Sequence, residues 1–163
     1  MERTIGVVTE NRPGVLSRLS GLMERRGFQV RDVSAGVTQQ PGRSRFTFVI
    51  AGDDRRASQA VRQLRKMVET VDAFELTPAF CVERRMMLMK FDLQAGRREA
   101  LFDYLKEYTH SVAGEQGDTL IVEVTGSGDQ LDRCLEGVRS HGLVESVKSG
   151  PLAMDARSGA TAF

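Results

Sequence analysis

The chain has 163 residues, 40% of them hydrophobic, and its 23 lysines and arginines nearly balance its 22 aspartates and glutamates. This composition supports a packed core in one ordinary domain or two small ones, and it excludes wholesale disorder. The near-neutral charge excludes a long-range attraction to nucleic acid or to an anionic membrane surface.

The two cysteines, Cys81 and Cys134, are far apart in sequence and form neither a disulfide framework nor a CxxC site. We interpret them as reduced thiols. No apolar segment resembling a signal peptide follows Met1, and no apolar run is long enough to span a bilayer. We therefore expect a cytoplasmic protein.

The first half of the chain alternates between strand and helix patterns. The apolar run T-I-G-V-V predicts a strand, and the apolar stripe after it has helical spacing and ends before Gly27. Two further strand patterns flank a turn at Pro41-Gly42 and predict a hairpin in which Phe46 and Phe48 face the core. Apolar residues at helical spacing predict a second helix over 57–68, and V-D-A-F-E-L predicts a fourth strand, which gives the order βαββαβ.

The same order returns after Thr77-Pro78. Residues 82–93 predict a strand, and the apolar stripe over 100–108 predicts a helix. A hairpin is predicted around Gln116–Asp118, followed by a helix that ends near Gly142 and by a last strand, L-V-E-S-V.

The chain is therefore predicted to be an α+β protein with two tandem ferredoxin-like βαββαβ domains, residues 1–76 and 82–149. Residues 150–163 are small and polar, and they predict a loose tail. Because two helices cover only one face of each sheet, this fold favours dimerisation through a sheet edge or face.

Residues that could form a catalytic or metal-binding set are scarce. His110 and His141 are isolated, and no G-x-S-x-G motif is present. The methionines of Met86–Met89 fit a buried strand better than a copper site. Gly126–Gly128 could hold an anion, but it fits the start of a helix better. We find no convincing catalytic constellation and no metal site.

The loop N-R-P-G, which joins the first strand to the first helix, has the features of an anion-binding site. Pro13 suits a first helical turn, and Gly14 lets another group approach the backbone closely. The N–H groups of Gly14, Val15 and Leu16 are then expected to point out of the positive end of the helix, where a carboxylate is stabilised.

An amino acid also carries an ammonium group and a side chain. Asn11 can cap the helix through its side-chain oxygen. It can also accept a hydrogen bond from the ammonium, and Gln29 could accept another across a dimer interface. Val15, Leu16 and Val30 offer apolar contact. The alternative is that N-R-P-G is only a good turn and helix start, because such loops are common.

Five segments carry a resemblance to a known family. In chain order they are Asn11–Arg18, Arg25–Val30, Ser44–Thr47, Val82–Lys90 and Ser149–Gly159. The first domain resembles an ACT domain, and the whole chain more closely resembles the small regulatory subunits of acetolactate synthase (acetohydroxyacid synthase). The V-E-R element at Val82 is the most specific of these segments, because ACT domains in general do not carry it.

This resemblance implies a regulatory subunit without an active site or cofactor of its own. The family's large catalytic subunit holds thiamine diphosphate, magnesium and FAD, and it condenses two pyruvates, or pyruvate with 2-oxobutyrate, in branched-chain amino-acid synthesis. The small subunit activates it and confers feedback inhibition, usually by valine. The effector lies between the ACT domains of two small subunits, at positions that match Asn11, Gly14, Val15, Leu16, Gln29 and Val30.

Three residues depart from the family pattern. Gln29 stands where the family usually has Asn, Phe28 where Tyr is common, and Arg85 where Glu is common. These departures leave open a stand-alone tandem-ACT sensor that regulates another enzyme or a transcription factor. A small enzyme is a third hypothesis, and the missing catalytic constellation argues against it.

Overall fold

The computed structural model describes residues 1–93 and 97–157. The chain divides into two units: the first contains Met1–Val82 and the C-terminal residues from Pro151, and the second contains Glu83–Gly150. The order βαββαβ occurs twice, which confirms the predicted α+β class with two ferredoxin-like folds.

The first unit is built on a four-stranded antiparallel sheet. Its elements are β1 (Glu2–Glu10), α1 (Val15–Arg25), β2 (Val30–Val37), β3 (Arg43–Ala51), α2 (Asp54–Leu64) and β4 (Thr70–Leu76). The strand order is β2-β3-β1-β4, so β2 lies at an edge of the sheet. A short 3₁₀ turn, Pro78–Phe80, follows β4.

The core of this unit lies between the sheet and its two helices. In β1 and β3, Ile5 pairs with Phe48 and Val7 pairs with Phe46. Phe46 and Phe48 are 6% and 0% exposed, as predicted. Alternate residues of a strand share a face, so these side chains meet the apolar sides of α1 and α2. The helix residues in this core are Val15, Leu19, Met23, Ala60, Val61 and Leu64.

The second helix is shorter than predicted. It begins at Asp54, after the cap residue Asp53, whose carboxylate accepts a hydrogen bond from the N–H of Arg56 at 2.9 Å, and it ends at Leu64. Met67 still packs against the core, but from a turn. The apolar spacing continues past the helix end, and the prediction that the helix reaches residue 68 is wrong: α2 ends at Leu64, and Val68 is 91% exposed.

The second unit repeats this plan. Its elements are β5 (Cys81–Asp92), α3 (Arg97–Leu105), β6 (Thr109–Gln116), β7 (Thr119–Gly126), α4 (Gly128–Val138) and β8 (Leu143–Lys148), with the 3₁₀ turn Arg139–His141 after α4. The strand order is β6-β7-β5-β8. Met87 and Met89 are buried in the core, which confirms the buried-strand interpretation for these two, whereas Met86 on the same strand is 43% exposed. Gly126–Gly128 leads into α4, where Ser127 and Gln130 form a capping box.

The prediction of a loose tail over 150–163 is wrong for residues 151–157. Leu152–Asp155 form a ninth strand, β9, which pairs with β5. Pro151 and Ala153 are buried, and their carbonyl groups accept hydrogen bonds from the side chains of Ser34 and Arg45. Residues 158–163, including the end of the segment Ser149–Gly159, lie outside the described residues.

Gly6 of β1 tests how tightly the first sheet is packed. A Cβ atom on Gly6 would lie 2.4 Å from Cε2 of Phe74, whereas a Cβ on Gly36 of β2 would meet nothing within 4 Å. We expect Gly6→Ala to lower the free energy of unfolding by about 1–3 kcal/mol through overpacking, and Gly36→Ala to leave it nearly unchanged. Urea unfolding followed by circular dichroism measures both, and equal midpoints would contradict the packing described here.

Candidate functional site

The loop between β1 and α1 is fixed by its backbone. The N–H of Asn11 donates to the carbonyl of Gly42 at 2.8 Å, and the N–H of Arg12 donates to the carbonyl of Glu10 at 3.0 Å. Gly14 is the N-cap of α1 and has φ 78°, a left-handed conformation that favours glycine. The glycine is therefore required by the backbone as well as suited to close approach by a ligand.

The start of α1 differs from the prediction in three details. Pro13 precedes the cap rather than opening the helix, and no side chain, including that of Asn11, caps α1. The N–H of Val15 is not free, because it donates to the carbonyl of Arg12 at 3.3 Å. Within the described residues, the N–H groups of Gly14 and Leu16 have no acceptor. Two of the three predicted donors thus remain available.

Arg18 adds positive charge to this helix end, and sequence reasoning missed it. Its Nη2 donates to the carbonyl of Pro13 at 3.3 Å, and its Nε lies 2.6 Å from Oε1 of Glu69. A Cβ atom on Gly14 would be 3.0 Å from Nη1 of Arg18. The signal was present in the sequence, since residues four apart on a helix lie on one face.

Asn11 and Leu16 are exposed beside this helix end, and Leu16 is 45% exposed. Val15 is only 4% exposed and packs in the core of the first unit. Of the four predicted residues here, Val15 is therefore placed to contribute packing below the loop rather than a contact surface.

Gln29 and Val30 lie past the other end of α1. They line a pocket of about 360 Å³ between α1 and the start of β2, together with Ser20, Glu24, Gly27, Phe28, Val33 and Phe48. Sequence reasoning also missed Ser20 and Glu24. Their signal is the i, i+4 spacing that puts them on one stripe of α1 with Leu16.

Within one chain, the six predicted residues form two separate groups. Four lie at the N-terminus of α1 and two lie beyond its C-terminus, and this 11-residue helix is about 16 Å long. The second group lies on an edge strand with exposed valines: Val30 is 37% exposed, Val33 is 40% and Val37 is 82%. Such an apolar sheet edge is typical of a surface that pairs with another chain.

Two of the departures from the family pattern are buried. Phe28 is 4% exposed and packs beneath Arg56, whose guanidinium carbon is 5.0 Å from the ring centre. Arg85 is 8% exposed, and its Nε lies 2.9 Å from Oε1 of Glu83. Arg85 therefore acts inside the second unit, beside Gly128 of α4, rather than as an exposed charge.

No group of three or more His, Cys, Asp or Glu residues that could hold a metal ion is present among residues 1–93 and 97–157. The ring of His110 packs against Phe102, and the ring of His141 packs against Tyr104. Burial raises the pKa of the Cys134 thiol to about 11, so this thiol stays protonated at neutral pH. None of the helices in the described part of the chain has the length and apolar character to cross a membrane.

Comparison with known proteins adds to this geometry. A family model described as "AHAS small subunit-like ACT domain" matches residues 5–72, and one described as "Small subunit of acetolactate synthase" matches residues 84–162. A probable acetolactate synthase small subunit from Archaeoglobus fulgidus is 34% identical over 94% of this chain and 96% of its own length. The acetolactate synthase small subunit of Mycobacterium bovis is 30% identical over 93% of this chain and 90% of its own length.

The fold comparison agrees with the sequence comparison. The crystal structure of the acetolactate synthase small subunit from Thermotoga maritima superposes with a TM-score of 0.89 at 26% identity, covering 98% of this chain and 99% of that one. Both halves of the chain are thus matched in sequence, and nearly the whole chain is matched in fold. The chain belongs to the acetolactate synthase small-subunit family.

Proposed function

We propose that this chain activates the thiamine-diphosphate-dependent large subunit of acetolactate synthase and makes it sensitive to feedback inhibition by valine. The observation that carries the proposal is the open N-terminus of α1 at Gly14, in a unit whose residues 5–72 match the ACT-domain model of the family. The chain would act in the cytoplasm on branched-chain amino-acid synthesis, and the large subunit would hold thiamine diphosphate, magnesium and FAD.

The N-terminus of α1 suits the carboxylate of an amino acid. The N–H groups of Gly14 and Leu16 have no acceptor among the described residues, and the helix dipole favours negative charge at this end. The guanidinium of Arg18 lies beside Gly14 and adds to the positive potential, although Glu69 offsets part of it. These groups support a carboxylate position at the loop.

The pocket beyond the other end of α1 suits the rest of the ligand. The amide oxygen of Gln29 and the carboxylate of Glu24 are acceptors for an ammonium group, and Val30 and Val33 offer apolar contact to an aliphatic side chain. With about 360 Å³, the pocket has room for a small branched side chain. This combination of groups supports a branched-chain amino acid such as valine.

A second copy of the chain would bring the two groups together. In a two-fold symmetric dimer, the loop of one protomer faces the start of β2 of its partner, and the same contact occurs twice. The exposed valines of β2 support this arrangement, because pairing of the two edges would cover them. Each dimer would then hold two composite effector sites.

Acetolactate production by the cognate large subunit, with and without this chain and across a valine titration, tests the proposal directly. We expect the chain to raise turnover and valine to lower it again. Activation without valine inhibition would contradict the effector assignment, and an unchanged turnover would contradict the partner. The second result would favour a stand-alone amino-acid sensor.

Gly14→Asp tests the carboxylate position. The new carboxylate would lie beside Arg18, where the ligand's carboxylate is proposed to bind, so we expect the valine concentration for half-maximal inhibition to rise at least about tenfold. Activation of the large subunit should persist. Gly117→Asp is the matched control, because Gly117 also has a left-handed conformation (φ 58°) and lies in the turn between β6 and β7. Equal valine responses of the two variants would mean that the loop is only a turn.

Mixed dimers test whether two chains share the site. Homodimers of Gly14→Asp and of Gln29→Ala should each respond poorly to valine, because every composite site carries one defect. A heterodimer isolated with two affinity tags should regain about half of the valine-binding sites, because one of its two sites has both defects and the other has none. Calorimetry counts the sites, and a heterodimer as unresponsive as its parents would contradict the shared site.

A further inference from the structure

The first sheet is buried on both faces, although its two helices cover only one. Val8, Thr47 and Val49 are 0%, 4% and 2% exposed, yet none of them belongs to the core beneath the helices. In the strand register Val8 pairs with Arg45, and Thr47 pairs with Gly6. These residues alternate with the core residues, so they lie on the opposite side of the sheet, which we call the back face.

The C-terminal segment 151–157, which we call the strap, lies on this back face. The hydroxyl of Ser34 donates to the carbonyl of Pro151 at 2.5 Å, and Nη2 of Arg45 donates to the carbonyl of Ala153 at 2.7 Å. Ala153 is 8% exposed. A third hydrogen bond, from the N–H of Ala156 to the carbonyl of Phe80 at 2.7 Å, holds the far end of the strap, and its strand β9 also pairs with β5.

Docking of the strap brings a carbonyl group against the charged side chain of Arg45. Burial lowers the pKa of the Arg45 guanidinium, which means that its charged form loses hydration beneath the strap. The carbonyl of Ala153 and the ring of Phe74, whose centre is 5.2 Å from the guanidinium carbon, offset this loss.

The strand beneath the strap also carries part of the proposed effector site. Ser34 lies on β2 four residues after Val30, and Arg45 on β3 pairs with Gly36 of the same β2. Because β2 is an edge strand that pairs only with β3 among the described strands, its position depends on what contacts it from the back face. The strap and the effector would therefore act on one strand.

We propose that docking of the strap on the back face is coupled to effector binding through β2. The coupling rests on the proposed function, whereas the docking does not. Because coupling between two binding events is reciprocal, effector binding stabilises the docked strap and loss of the strap weakens effector binding. The C-terminal segment thus links the end of the chain to the sensing hairpin.

Hydrogen exchange of the full-length chain, measured by mass spectrometry over residues 152–156, tests the docking. Ser34→Ala removes one hydrogen bond, and we expect exchange in the strap to rise on the order of five-fold. Arg45→Met, which keeps an apolar stem but removes the donor, should raise it further. Ser58→Ala is the matched control, because the Ser58 hydroxyl bonds Glu75 in the same unit without touching the strap.

The same measurement with valine tests the coupling. Two results together support the coupling. Valine slows hydrogen exchange in the strap, and the valine concentration for half-maximal inhibition is higher in Ser34→Ala than in Ser58→Ala. If neither Ser34→Ala nor Arg45→Met changes hydrogen exchange in the strap, the docking is wrong. If valine inhibits the holoenzyme but does not change hydrogen exchange in the strap, the coupling is wrong and the proposed function stands. If the chain binds no valine, both the proposed function and the coupling are wrong. Hydrogen exchange in Ser34→Ala and Arg45→Met still tests the docking in that case.

Discussion

The antiparallel register of β1 against β3 is the constraint on which the rest of the first unit depends. It pairs Ile5 with Phe48 and Val7 with Phe46 on the helix side, and it leaves Val8 and Thr47 on the back face. A shift of one residue would turn both sets over, placing phenylalanines under the strap and small polar groups against the helices. Full burial of each large apolar side chain contributes about 1.5–3 kcal/mol, so the register is strongly fixed.

This register also determines where β1 ends and therefore where α1 begins. The chain leaves the sheet at Glu10 and turns through Gly14, and α1 then crosses the helix side of the sheet to the start of β2. The helix thus separates a positive end near Arg18 from an apolar pocket near Gln29. A ligand that needs both ends has to be shared between chains, which is the physical reason for proposing a composite site.

Hydrophobic periodicity was enough to predict both βαββαβ units, because alternation with period two and stripes with period 3.6 are local properties of the sequence. It failed where burial depends on distant partners. The strand Leu152–Asp155 is only four residues long, and its partners β5, Ser34 and Arg45 are all distant in sequence. At the site, glycine and proline chemistry located the loop, but not which N–H groups would be occupied.

The caps of the helices distinguish the loop at Gly14 from an ordinary turn. The helix α2 starts with a side-chain cap from Asp53, and α4 starts with the capping box of Ser127 and Gln130. Each also has an acidic residue in its first turn, whereas α1 has neither a side-chain cap nor an acidic residue there.

A missing cap costs a helix about 1 kcal/mol, and an added carboxylate in the first turn of α1 would have been favourable. Only a group from outside the helix can satisfy the donors that α1 leaves open. Of the α-helices whose first residues and caps the structure describes, α1 is the one without a side-chain cap, and for that reason we propose the first unit as the effector sensor.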